Sequence, residues 1–178
     1  MDFEARIKDI KDWLSNEYAG IRTGQATPAL LDSIKVESYG TKVPLNQVGS
    51  VGVEDARTLR ISVWDAGGIK AIETAITDAD LGVSVATDSS GLRVVFPELT
   101  SERRVQLLKL AKQKLEDARV SVRGARDEIM KDLDKQEKAG DLSEDDKFTE
   151  KENIQKLVES ANKALDELYA QKEAEISK

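Results

Sequence analysis

The 178-residue chain has no cysteine and no histidine. Without cysteine it can hold no disulfide framework, thiol nucleophile or thiolate metal site, which suits a reducing compartment and points to the cytoplasm. Without histidine the usual proton carrier near neutral pH and the usual nitrogen ligand for a metal are missing. Aromatics make up only 4 %, too few for a large, deep core. No apolar run approaches the roughly 20 residues that cross a bilayer. The opening MDFEARIKDI alternates charged and apolar residues and lacks the apolar stretch of a secretory leader. Catalysis, a membrane span and a resident cofactor or metal are therefore not expected.

What the chain does have is charge: 34 % of its residues, with a formal net charge of −7. That composition suits long solvated helices with narrow apolar seams. Phe3, Ile7, Ile10, Leu14 and Ile21 recur at helical spacing and predict an amphipathic helix to about Arg22. Gly24 and Pro28 in TGQATPALLD then break it. From residue 33 to 98 the period falls to two. Ile34 and Val36, Val51 and Val53, Leu59, Ile61 and Val63, and Leu92, Val94 and Phe96 alternate as short strands. Ile69, Ile72, Ile76 and Ala79 mark one short helix, and 39–41 and 88–91 read as turns.

At residue 100 the long period returns, with Thr100 or Ser101 as N-cap. Leu108, Ala111, Leu115, Ala118, Val122, Ala125 and Ile129 keep heptad spacing, predicting a helix to about Ala139 that is closed by Gly140. Ser143 and Asp146 resemble a capping box for a last helix with Ile154, Leu157, Ala161, Ala164 and Leu168 on its seam. The expected fold is α+β: a long three-helix bundle (1–24 and 99–178) with a small α/β domain (29–98) inserted between helices 1 and 2. Its crossings at 23–28 and 97–100 form a hinge.

Three motifs compete for function. Between Arg103 and Arg126 eight basic residues face only Glu116 and Asp117, a local charge of +6 in an acidic protein. Arg119, Arg123 and Arg126 share one helical face, and Lys112 extends it. The arrangement fits a phosphate-binding surface. It equally fits ordinary flanking charges that pair with acids on neighbouring helices. Gly124, which costs a helix interior about 0.8–1 kcal/mol relative to Ala, leaves room beside Arg123 for a partner's backbone. The second motif is 141–152, where Asp141, Ser143, Asp145 and Glu152 match positions of a calcium loop. Asp146 stands where that loop needs glycine, and helix capping explains the same residues without metal. Third, Glu54, Asp55, Asp78, Asp80 and Asp88 fall at strand ends and turns, with no chemical companions for acid–base work.

Seven collinear stretches resemble the ribosome recycling factor family. They are IRTGQATPALLD, VESYGTKVPLNQV, VEDARTLRISVWD, AITDADLG, PELTSERR, ARVSVRGARDE and LSEDD. The resemblance implies an L-shaped molecule, its small domain held at roughly a right angle to the bundle. It implies a monomeric, non-enzymatic cytoplasmic factor that lies across the A and P sites of the post-termination ribosome, bundle against large-subunit ribosomal RNA. With elongation factor G and GTP, it promotes dissociation into subunits. The family's RNA-contacting arginines match Arg123 and Arg126, with Arg119 and Lys112 on the same face. Arg22 matches a family arginine near the RNA or at the hinge, and the hinge maps to Thr23, Gly24, Gln25, Leu99 and Thr100. Asp127 and Gln25 stand where the family often carries arginine. A rival reading from another class is a helical adaptor or chaperone that grips protein partners through its bundle.

Overall fold

The structure, a computed structural model, describes residues 2–178. It divides into two compact units: residues up to Tyr18 together with Gln106–Ser177, and Ala19–Val105 with Lys178.

The first unit is helical. Helix α1 spans Phe3–Ala19 and buries Phe3, Ile7, Leu14 and Tyr18. It ends three residues short of the expected Arg22, because Gly20 follows and Ile21 is buried in the second unit. Helix α3, Ser101–Lys138, runs for 38 residues, about 57 Å at 1.5 Å per residue. Thr100 is its cap, the hydroxyl accepting from Arg103 N at 3.0 Å. At its far end Gly140 adopts φ +81°. There Gly140 N donates to Glu137 O at 3.0 Å and Asp141 N to Gln136 O at 2.9 Å. These are the paired bonds of a Schellman stop, which needs a residue free to take positive φ. Helix α4, Glu144–Ser177, starts at Ser143, whose hydroxyl accepts from Asp146 N at 3.1 Å. Only residues 141–143 form the turn and cap, 144–152 already belonging to α4, and among the described residues no acidic cluster there has a metal-holding arrangement.

Cross-links fix the order of packing. Tyr18 donates to Ala111 O at 2.7 Å, and Arg6 reaches Glu128, so α1 and α3 run in opposite directions. Lys151 pairs with Asp134 at 2.8 Å and Arg119 with Asp166, so α3 and α4 are also antiparallel. Burial pushes the Tyr18 hydroxyl up to about 12, with Tyr169 of α4 contributing next.

The buried seam of α3 is the expected one from Ala111 to Ala125 and departs from it at the ends, while α4 keeps one expected row and exchanges the other for its neighbour. On α3 the buried residues are Leu107, Ala111, Leu115, Ala118, Val122, Ala125 and Leu133, with Leu108 and Ile129 only half-buried. On α4 Ile154, Val158, Ala161, Leu165 and Ile176 are buried, while Leu157, Ala164 and Leu168 are half-buried. A helix packed in a bundle buries a stripe wider than one heptad line, so adjacent rows share the seam.

The second unit is an α/β module. Strands β3 (Gly49–Asp55), β4 (Thr58–Val63), β6 (Gly91–Val95) and β5 (Ser84–Thr87) form an antiparallel sheet in that order. Strands β1 (Lys35–Ser38) and β2 (Thr41–Pro44) form a separate ribbon. Leu59, Ile61, Leu92 and Val94 point to one face and are fully buried with Ile72 and Ile76 of α2 (Ile69–Asp78). The sheet's alternation is clean because one face meets the helix and the other meets water. Val53, expected to alternate with Val51, lies at the sheet edge and is exposed. Strands β2 and β5 were not legible in the sequence: each has four residues, at an edge, without a strong apolar alternation. No helix among the described residues is long and apolar enough to cross a membrane.

Candidate nucleic-acid interface

Helix α3 is built from strong helix formers, chiefly leucine, alanine, lysine, arginine and glutamate, so it carries its side chains on a rigid rod. Its arginine face lies beside the buried seam, on the side turned to α4. Arg119, Arg123 and Arg126 line a shallow groove of about 240 Å³ together with Val158, Asn162 and Asp166 of α4.

The three arginines are held differently. Arg119 donates to Asp166 across the groove and lies 3.8 Å from Glu116, so it is the one that follows the pattern of a flanking charge. Arg126 reaches only its own neighbour, Nη2 standing 3.2 Å and Nε 3.4 Å from Asp127 Oδ1. Its side chain is one-third exposed, at 34 %. Arg123 is exposed and makes no ion pair or side-chain hydrogen bond among the described residues. Lys112 is likewise exposed, seven residues before Arg119 on the same face. Three cations against one acid in the groove leave a positive surface, and two of the guanidinium groups have no link to another helix. Asp127, already marked as a departure from the family pattern, sits against Arg126 and takes up part of its charge.

Asn162 was not singled out in the sequence. Its side-chain oxygen is buried and has no hydrogen-bond partner, which leaves an unused acceptor among the arginines. The only signal for it was a polar residue directly after the seam position Ala161.

Gly124 does not belong to this groove. It lines a different one, against α1, with Arg6, Asp9, Ile10, Trp13, Ser121 and Glu128. A Cβ placed on it meets nothing within 4 Å. The expectation that it makes room beside Arg123 is therefore corrected: one residue is a turn of about 100° on a helix, so Gly124 and Arg123 face different neighbours.

Arg22 lies in the other unit and is engaged there. Its guanidinium stands 5.6 Å from the centre of the Phe96 ring and donates to Pro97 O. Burial lowers its pKa, with Arg103 adding to the effect. Arg22 thus ties the outgoing chain at 22 to the returning chain at 96–97. Of the expected hinge residues, Thr23 and Leu99 are buried. Thr23 Oγ1 accepts from Gln25 N at 3.3 Å, and Thr100 is occupied as the α3 cap.

A cationic face on a rigid helix, with one guanidinium group unpaired among the described residues and another held only by its neighbour, is an arrangement suited to backbone contacts with a polyanion. The family model described as ribosome recycling factor matches residues 14–176, and the chain belongs to that family. Ribosome-recycling factors of Chlorobaculum parvum and Gluconacetobacter diazotrophicus are 46 % and 43 % identical to it. These matches cover 97 % and 98 % of this chain and 93 % of each relative. A solution structure of a ribosome recycling factor superposes with TM-score 0.78 at 37 % identity, over 98 % of this chain and 93 % of the other. A second similar structure comes from models for the T. thermophilus ribosome recycling factor and the E. coli elongation factor G bound to the E. coli post-termination complex. It has TM-score 0.67 and 39 % identity, and covers 98 % of this chain and 95 % of its own.

Proposed function

We propose that this chain recycles post-termination ribosomes. Its helical unit binds large-subunit ribosomal RNA through Arg123 and Arg126, with Lys112 beside them, across the A and P sites. Elongation factor G, using GTP, then drives the subunits apart. The chain itself hydrolyses nothing and works as a monomer in the cytoplasm. The observation that carries the reading is the pair of guanidinium groups on α3 with no partner on another helix. Phosphate oxygens are the natural acceptors for such groups. Arg119 contributes after leaving Asp166, and Arg22 serves the chain crossings instead of the RNA.

Within the second unit the inserted stretch from Asp32 to Glu98 is acidic, with ten acids against six basic residues. It is repelled by RNA and stays free to be pushed. The pivot lies in the crossings, Thr23–Gln25 and Leu99–Thr100, which Arg22 keeps together. Gly24→Pro should leave large-subunit binding nearly unchanged while slowing subunit splitting, followed by light scattering. The decisive experiment is polysome breakdown by purified protein with elongation factor G and GTP. Breakdown that needs all three components supports recycling. No breakdown, together with capture of polypeptides in preference to ribosomes at low salt, would support the adaptor reading.

A further inference from the structure

The chain has eight aromatic residues, and two of them lie on the surface of the small unit, Tyr39 at 93 % and Trp64 at 66 % exposure. Burying either would release considerable apolar area from water, so their exposure needs a reason. Trp64 forms a ridge between two concavities of about 460 Å³ each. Val36, Tyr39 and Val63 help to wall one, and Leu31, Leu45 and Val51 the other.

The ridge is held in place before anything binds. Trp64 N donates to Val48 O at 3.3 Å. The Tyr39 hydroxyl donates to Asp65 Oδ2 at 2.8 Å, and Gly67 N donates to Asp65 Oδ1 at 3.0 Å, so one carboxylate clamps the ring to a backbone turn. Tyr39 sits at φ +50°, followed by Gly40 at φ +81°. A bulky residue is strained in that region, where asparagine or glycine would relax, and residues kept in such a conformation cluster at binding sites. A rigid aromatic side chain loses little entropy when it is covered.

Charge selects the occupant. Asp32, Glu37 and Asp65 stand around the two concavities, and no lysine or arginine among the described residues lines either one. Aromatic rings also stack on bases, but here the phosphates of a nucleic acid would meet only acids. We propose that the Tyr39–Trp64 ridge is a docking surface for a basic polypeptide segment of a protein partner. Aliphatic side chains of that segment fill the concavities, a guanidinium lies over Trp64, and further cations face Asp32 and Glu37. That the partner is met on the ribosome rests on the recycling reading; the surface itself does not.

The test uses the full chain with Trp13→Phe, which leaves Trp64 as the only tryptophan. Its fluorescence is titrated with a synthetic peptide of alternating leucine and arginine, with the same peptide carrying glutamate for arginine, and with oligouridine. A saturable change is expected with the basic peptide alone. Tyr39→Ala, and separately Asp32→Lys with Glu37→Lys, should raise its Kd roughly tenfold, as for loss of an aromatic anchor or its charge partners. The proposal is overturned by no saturable response, by an equal response to the acidic peptide, by tighter binding of oligouridine, or by a change that tracks protein concentration alone. On ribosomes, Trp64→Ser should co-sediment with the large subunit as the unaltered chain does, yet split subunits more slowly. Co-sedimentation with an unaltered splitting rate sinks the docking surface and leaves recycling intact. If neither protein co-sediments, recycling fails and the peptide titration alone decides the surface.

Discussion

Arginine has two different roles in the two units. In the small unit the side chains are tied down. Arg93 forks onto Glu54 at 2.6 and 2.7 Å, Arg60 onto Asp88 at 2.5 and 2.9 Å, Arg57 reaches Glu98 at 3.2 Å, and Arg22 holds Pro97. Arg60 and Arg93 are direct cross-strand partners, a like-charge pair that would destabilise the sheet without the acids flanking them. On the α3 face of the helical unit Arg123 has no partner among the described residues, Arg126 has only the residue beside it, and Arg119 is bridged to α4, while Arg6 of α1 is tied to Glu128. A guanidinium that completes a carboxylate fork is part of the scaffold. One left in water beside a positive groove is available to a ligand. Counting arginines cannot tell the two apart; their acceptors can.

The strongest way to break that contrast is to remove arginines from each side. Arg123→Ala and Arg126→Ala should each weaken large-subunit binding by about 1–3 kcal/mol and lower the salt slope by about one ion. Arg60→Ala and Arg93→Ala should change neither, while making the small unit less stable. A salt titration of all four variants, read by co-sedimentation, makes the comparison. If Arg93→Ala proved as damaging to binding as Arg126→Ala, the assignment of the RNA face to α3 would be lost.

Two smaller changes test faces of the same helix. Gly124→Ala should stabilise the protein by about 0.8–1 kcal/mol, because a Cβ there meets open space and alanine is the better helix former. It should leave RNA binding unchanged, since that face looks towards α1. A rise in thermal midpoint with an unaltered Kd is the expected pair of readings. Asp166→Asn should free Arg119. The bridge is exposed on both sides, so the loss in stability should stay below about 1 kcal/mol. Large-subunit binding should tighten roughly twofold, with a salt slope steeper by up to one ion.

These residues also show what was legible before the structure. The order of the helices and of four of the six strands could be read because the apolar period switches from 3.6 to 2 near residue 33 and back near 100, and period follows directly from backbone geometry. The caps at Thr100, Gly140 and Ser143 were readable because the hydrogen bonds that stop or start a helix are local. On α4 the row of Ile154 and Ala161 is as expected, but Leu157 and Ala164 give way to Val158 and Leu165, since which row lies deepest depends on where the neighbouring helices sit. Arg119, Arg123 and Arg126 could be placed on one face. Which of them was already paired could not, because Asp166 is 47 residues away from Arg119 in the chain. Gly124 was misassigned for a related reason: adjacency in sequence is divergence on a helix. Asn162 had no local signal at all beyond its polarity.

The smallest expected effect concerns the tied side of the contrast. The fork from Arg60 holds the Asp88 carboxyl well below the usual carboxylate range, and Ser90 N adds to this at 2.9 Å. A carboxyl with a depressed folded-state pKa stabilises the fold fully above its unfolded value of about 3.9, and that contribution is lost as acid protonates it below about pH 4. Asp88→Asn removes the charge at every pH. Thermal unfolding followed by circular dichroism should therefore separate the two proteins modestly at pH 7, the unaltered chain melting higher, and the two should converge as the pH falls towards about 2. The gap at neutral pH should shrink in high salt, because the pair is open to solvent. A gap that persisted unchanged into strong acid would mean that Asp88 acts through the backbone turn at Ser90 and Gly91, not through its charge. The sheet would then hold its paired arginines by shape alone, and the contrast with α3 would be one of geometry instead of available acceptors.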